Sequence, residues 1–118
     1  MKWGEVELEP EVHEWFGSLG QEDQETVIFY VDLLAANGVH LGEPYTRQLL
    51  GKLRELRFYL ARDAVRITYW IAPGRRIILL TVFRKQRMRE RAEVERARRV
   101  MERCVAQAHT ATDEGVGE

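Results

Sequence analysis

Only one cysteine, Cys104, occurs in the 118 residues, which excludes an intrachain disulfide and any cysteine-rich metal site. The three histidines, His13, His40 and His109, lie far apart and show no metal-ligand spacing. No apolar run approaches the roughly 18 residues that a membrane span requires. The opening MKWGEVELEPEV is acidic and has no apolar stretch, so no secretory signal is expected and the cytoplasm is the expected compartment. Internal repeats, a glycine-rich nucleotide loop and a Ser-His-Asp arrangement are also missing.

What remains is an ordinary globular balance, 45% hydrophobic and 31% charged. That length supports a single modest core, expected over residues 1–108. Residues 109–118, small, polar and glycine-containing, are expected to form a disordered tail. The formal net charge of −1 conceals a segregation. Residues 1–50 carry two basic side chains against ten acidic ones, whereas residues 51–103 carry sixteen against six. A basic face for an anionic partner can therefore exist on a nearly neutral chain. Folding that interleaves the two halves would dilute it.

Periodicity divides the chain into short elements. Trp3 to Leu8 alternates as a strand. Glu9-Pro10 opens a helix whose buried stripe is Val12, Trp15, Phe16 and Leu19, and which Gly20 stops. A second helix runs from about Glu22 to Asn37 on Val27, Tyr30, Val31 and Leu34, ended by Asn37-Gly38. His13 falls on the exposed side of the first helix. His40 to Gly51 reads as a loop, punctuated by glycine and proline. A last helix is expected from about Met88 to Ala108, with Ala92, Ala97, Met101, Cys104, Val105 and Ala108 as a weak apolar stripe.

Between the loop and the last helix, Leu53 to Arg87 reads as three consecutive strands ending in a basic cluster. A turn at Arg62-Asp63 would pair Tyr59 with Arg66 and Arg57 with Thr68. Alternation then puts Leu56, Phe58, Leu60, Val65, Ile67, Tyr69 and Ile71 on the core side. Arg57, Tyr59, Arg66, Thr68 and Trp70 share the other side. A Pro73-Gly74 turn would bring Thr81 opposite Arg66, with Phe83 at the same end. The expected fold class is α+β, a small and mainly antiparallel sheet with two N-terminal helices and one C-terminal helix. An arginine–aromatic sheet face suits a polyanion, and RNA is the leading candidate.

Several segments in this order carry a family pattern: Leu41-Gly-Glu-Pro-Tyr, Leu49-Leu-Gly-Lys-Leu-Arg-Glu-Leu-Arg-Phe, Val65-Arg-Ile-Thr-Tyr, and Ile77-Ile-Leu-Leu-Thr-Val-Phe-Arg-Lys-Gln before a helix with Glu93-Val-Glu-Arg-Ala. Together they resemble the HigB-like, phage-derived branch of the RelE/ParE toxin superfamily, from the first strand to about residue 103. The resemblance implies a toxin of a type II toxin–antitoxin pair. It implies an mRNA endonuclease that works on the ribosome and inhibits translation, and a helix-turn-helix antitoxin as partner. Carried over by position, the implied catalytic residues are Arg57, Arg66, Arg84 and Lys85. Two features of relatives are missing here, the tyrosine that opens the last helix and a histidine–aspartate set. The same fold also serves ParE-like inhibitors of DNA gyrase and could serve a catalytically inactive module that binds a helix-turn-helix protein.

RNA cleavage by its own 2′-hydroxyl needs an oriented phosphate, stabilised equatorial charge and two proton transfers. Arginine suits the charge, since its planar guanidinium grips two phosphate oxygens and stays ionised. As diagonal neighbours, Arg57 and Arg66 would lie roughly 7–8 Å apart and could converge on one phosphate. Otherwise they solvate the sheet or pair with Glu55 and acids of the last helix. Lys85, among Arg84, Arg87 and Arg89, is the candidate for proton transfer or else a phosphate contact. Tyr59 and Phe83 either stack on bases or pack beneath the last helix. Lys52, Arg54 and Arg87 are expected to touch RNA without reading its sequence. No metal and no small-molecule cofactor are expected, because the carboxylates crowd the N-terminal helices instead of grouping around the arginines.

Overall fold

Proline supplies the backbone angle of a helical first turn without needing its missing N–H. The first helix, α1, accordingly starts at Pro10 and runs Pro10–Gly17, directly after strand β1, Glu5–Leu8. The second, α2, spans Gln21–Asn37 and stops where Gly38 takes φ +53°. Trp3 lies against that glycine so closely that a Cβ there would fall 2.0 Å from its ring. In this computed structural model the described residues are 2–86 and 88–117, with side chains described as far as residue 107.

Four further strands follow a 3₁₀ turn at Gly38–His40: β2 Thr46–Leu50, β3 Leu53–Leu60, β4 Asp63–Ala72 and β5 Arg76–Arg84. They form one five-stranded sheet in the order β1-β5-β4-β3-β2. β1 pairs with β5 in parallel, and all other neighbours are antiparallel. The fold is α+β, as expected, with one strand more. β2 lies within the segment expected to be a loop, and the reason is its position. It is an edge strand paired only with β3, its register shifts between Gln48 and Leu50, and only Thr46 is buried. Such a strand carries no apolar alternation to read.

The β3–β4 turn sits one residue earlier than expected, at Ala61-Arg62, and Ala61 adopts φ +53°. Arg57 therefore pairs with Arg66 and Tyr59 with Ala64. Moving a hairpin turn by one residue shifts each partner by two, so every side chain keeps its expected face. In β5 a bulge intervenes. Tyr69 pairs with Leu79 but Thr68 with Thr81, so one extra residue enters β5. Ala72 also pairs with Arg76, so the β4–β5 turn holds three residues, and together the longer turn and the bulge put Phe83, not Thr81, opposite Arg66.

Helices cover both faces. α1 and α2 close a core of Val12, Val27, Leu34, Leu56, Phe58, Ile67, Tyr69, Ile77 and Leu79, where Tyr30 stacks on Phe58 at 5.0 Å. The last helix, α3, Glu90–Gly117, buries Ala97 and Cys104 against Leu53, Trp70, Ile78 and Leu80. Val94, Val100 and Met101 pack beside them, while Ala92 and Val105, expected in the stripe, are exposed. The helix continues past residue 108 to Gly117. Cys104 is buried, as its place on the stripe implied, and desolvation pushes its thiol up.

Beyond Leu79 no strand among the described residues lies along the outer edge of β5, and Glu11 takes over. Its Oε2 accepts a hydrogen bond from Val82 N–H at 3.0 Å while Oε1 binds the Arg96 guanidinium. Arg96 also donates to Glu93, at 2.9 Å, and these carboxylates hold its pKa far above the ordinary value. One side chain of α1 thus ties α3 to the sheet across the strand edge. Glu11→Ala should cost about 1–2 kcal/mol, reduced from the usual worth of charged hydrogen bonds because both groups are about one-third exposed. Urea unfolding would measure it, and an unchanged midpoint would refute this latch.

Candidate active site

The pairing of β2 to β5 sets two rows of side chains across the α3 side of the sheet. One row reads Arg47, Glu55, Thr68, Thr81, and the next Arg57, Arg66, Phe83. Tyr59 ends β3 on the same face, two residues beyond Arg57, and is 66% exposed. Thr68 and Thr81 close the floor, fully buried, with their hydroxyl oxygens 2.6 Å apart.

At the centre is a buried carboxylate between two guanidiniums. Glu55 Oε2 lies 3.6 Å from Arg57 Nε and 3.7 Å from Arg66 Nε. Both separations are ion pairs too long for a hydrogen bond. Among the described residues, Glu55 Oε1, Arg57 Nε and Arg66 Nε are buried and find no hydrogen-bond partner. Each such group costs roughly 1–3 kcal/mol, and three of them lie together here, which makes the cluster the candidate site. Desolvation pushes the Glu55 carboxyl up, with Arg66 and Arg57 opposing it and Glu90 adding to it. Desolvation likewise lowers Arg66, opposed by Glu55. The long contacts explain why burial prevails: no short hydrogen bond stabilises the charged form.

Directly opposed on neighbouring strands, Arg57 and Arg66 have Cβ atoms about 4.5–5.5 Å apart, closer than the diagonal placement expected. Arg66 donates from Nη1 to Val65 O at 3.2 Å, which leaves the rest of its fork available. Phe83 is buried beside it, whereas Tyr59 stands free at the rim.

Other expected site residues fall elsewhere. Arg54 occupies the opposite face, donating to the Tyr69 hydroxyl at 3.3 Å and to Thr46 Oγ1 at 3.0 Å. Its place in the alternation with Leu56 and Phe58 carries that information. Arg84 pairs in register with Val65 and so points away from Arg66, and its guanidinium meets Asp63 at 3.1 Å. Alternation along β5 accounts for this, since Arg84 follows Phe83 directly. Lys52 is exposed in the β2–β3 turn, and Lys85 is exposed just past β5, its N–H donating to Ala64 O at 2.8 Å. Arg87 lies outside the described residues. Glu55 is the functional candidate that sequence reading passed over. The signal was there: an acid two residues before Arg57 must share its face.

Among the described residues no group of three or more His, Cys, Asp or Glu side chains could hold a metal ion, and no helix is long and apolar enough to cross a membrane.

Comparison with known proteins agrees with this architecture. The free state of a mutant form of the E. coli toxin RelE superposes with a TM-score of 0.58 at 12% identity, covering 87% of this chain and 98% of that one. That likeness establishes a shared fold. Among curated proteins none matches the sequence. A family model matches residues 14–102, from within α1 to the middle of α3, and so takes in every strand from β2 to β5 and the whole arginine–carboxylate cluster. The chain belongs to the Gp49-like family of phage-derived proteins (DUF891), built on the RelE fold.

Proposed function

We propose that this protein is the toxin of a toxin–antitoxin pair and cleaves mRNA on the ribosome, its reacting centre lying at Glu55, Arg57 and Arg66. The observation that carries the reading is the buried, unpartnered cluster. A phosphodiester supplies what the cluster lacks: anionic oxygens for two guanidiniums and a 2′-hydroxyl proton for a carboxylate of raised pKa. Arg57 and Arg66 hold the phosphate and stabilise its developing charge. Glu55 accepts the nucleophile's proton, a role that burial suits by raising its basicity toward neutral pH. The expelled 5′-oxygen takes its proton from water or from Lys85, which stands exposed just past the end of β5. The products are a 2′,3′-cyclic phosphate and a 5′-hydroxyl, and no metal enters the reaction.

Tyr59 offers an exposed ring on which a base can stack. Lys52 and Arg84 lend positive potential at the rim rather than contacts to the reacting phosphate. A small helix-turn-helix protein is the proposed antitoxin. A gyrase inhibitor or an inactive binding module would have no use for a desolvated carboxylate between arginines, and the cluster favours cleavage over both. Brief induction in a bacterial host, followed by mapping of transcript ends, tests the proposal. Translated messages should accumulate 2′,3′-cyclic phosphate ends within codons, and Arg66→Ala should abolish them. Growth arrest with intact messages and altered plasmid supercoiling would instead favour gyrase.

A further inference from the structure

A second recess adjoins the cluster. Between β2 and the first turns of α3 lies a cleft of about 410 Å³, within the size range of small-ligand sites. Leu49 and Val94 supply apolar surface, Arg47, Gln48, Glu90 and Arg91 supply polar edges, and Glu95, paired with Arg98, closes one side. Glu55, in register with Arg47, belongs both to this cleft and to the arginine cluster. It is 1% exposed, and its Oε1 has no partner.

Because Glu55 lines the cleft and also pairs with Arg57 and Arg66, the cleft opens beside the phosphate-holding arginines. An apolar wall with an acceptor and cationic donors around it is the pattern that selects a nucleobase by its edge. Of the four bases, guanine alone combines two adjacent N–H donors, at N1 and N2, with two adjacent acceptors, at O6 and N7. A carboxylate matches the first pair and an arginine fork the second.

We infer that this cleft is a guanine subsite for the nucleotide on the 5′ side of the scissile phosphate. This rests on the proposed nuclease reading. Glu90 accepts from N1–H and N2–H, and Arg47 or Arg91 donates to O6 and N7. The ribose between base and phosphate then brings its 2′-hydroxyl to the unpartnered Glu55 Oε1. The cleft thereby selects the base and aligns the nucleophile with one binding event.

The test uses the full chain and ribosomes programmed with four mRNAs that differ only in the base 5′ to the cut. Wild type should cut after guanine at least about 10-fold faster than after adenine, cytosine or uracil, the discrimination expected of one good bidentate contact. Glu90→Gln should shrink that ratio to below about 3-fold. Equal rates after all four bases, or a ratio that Glu90→Gln leaves intact, would overturn the subsite while leaving the nuclease standing. Should none of the mRNAs be cut, the nuclease reading fails, and calorimetric titration of the protein with 3′-GMP and 3′-AMP decides the cleft alone. Preference for 3′-GMP that Glu90→Gln removes supports it, and equal or absent binding overturns it.

Discussion

Replacing Arg66 with alanine should lower ribosome-dependent cleavage by about 100–1000-fold, the usual cost of losing a donor aimed at transition-state charge. Arg66 is the buried member of the arginine pair, beside Phe83 and above the Thr68–Thr81 floor, with one nitrogen tied to Val65 O and the rest of its fork free. Its guanidinium is desolvated, and desolvated charge acts on a phosphate far more strongly than charge in water. Arg57, with about a quarter of its side chain exposed, acts through a better-screened charge, so Arg57→Ala should cost less. Folding is not the cause of the loss. Removing Arg66 also relieves an unsatisfied buried nitrogen, so unfolding midpoints of wild type and Arg66→Ala should lie close together. A loss of activity that follows a collapse in stability would contradict this assignment.

The second large effect is expected at Glu55. Glu55→Gln keeps the shape of the side chain but cannot accept the nucleophile's proton, and should reduce the rate by about 100- to 10,000-fold. The pH profile separates this role from a purely structural one. Glu55 must be ionised to act as a base, and its carboxyl lies above the ordinary 4.5 because of burial. Wild-type rate should therefore rise with pH through that raised value, and the residual rate of Glu55→Gln should lack this limb. Stability runs the other way. A carboxyl whose folded pKa exceeds its unfolded one stabilises below about 4.5, and that contribution disappears as pH rises through the folded value. Unfolding free energy of wild type should fall across this window relative to Glu55→Gln. A pH–rate profile unchanged by the substitution would remove Glu55 from the chemistry.

Facing and register differ in how far the sequence reveals them. The alternation of Leu56, Phe58 and Leu60 with Arg57 and Tyr59 settles which side chains share a face, and it survived a turn displaced by one residue. The same alternation already put Arg54 with the core and Glu55 with the arginines. Both were legible, but an isolated acid among arginines reads as a counterion until its burial is known. Burial follows from α3 lying over the sheet, a contact between segments some forty residues apart. The β5 bulge was not legible, since inserting a residue between Thr68 and Tyr69 pairings leaves no local mark among Leu79, Leu80 and Thr81. That bulge and the three-residue turn before β5 together brought Phe83 opposite Arg66, while Arg84 keeps the face that alternation with Phe83 gives it. β2 was hidden for a related reason: an edge strand with one buried residue has no pattern of its own. The cleft beside Glu55 depends on β2, because Arg47 and Gln48 belong to it and face Glu90 in the first turn of α3.

The most direct test is a single-turnover assay with purified ribosomes carrying a defined mRNA, in the presence of a chelator, comparing wild type, Arg66→Ala and Glu55→Gln. The account predicts cleavage within the codon exposed in the decoding site, leaving a 2′,3′-cyclic phosphate, with both variants slowed at least about 100-fold. Intact mRNA on ribosomes that a known nuclease can cut, or cleavage at wild-type rate by both variants, would contradict it.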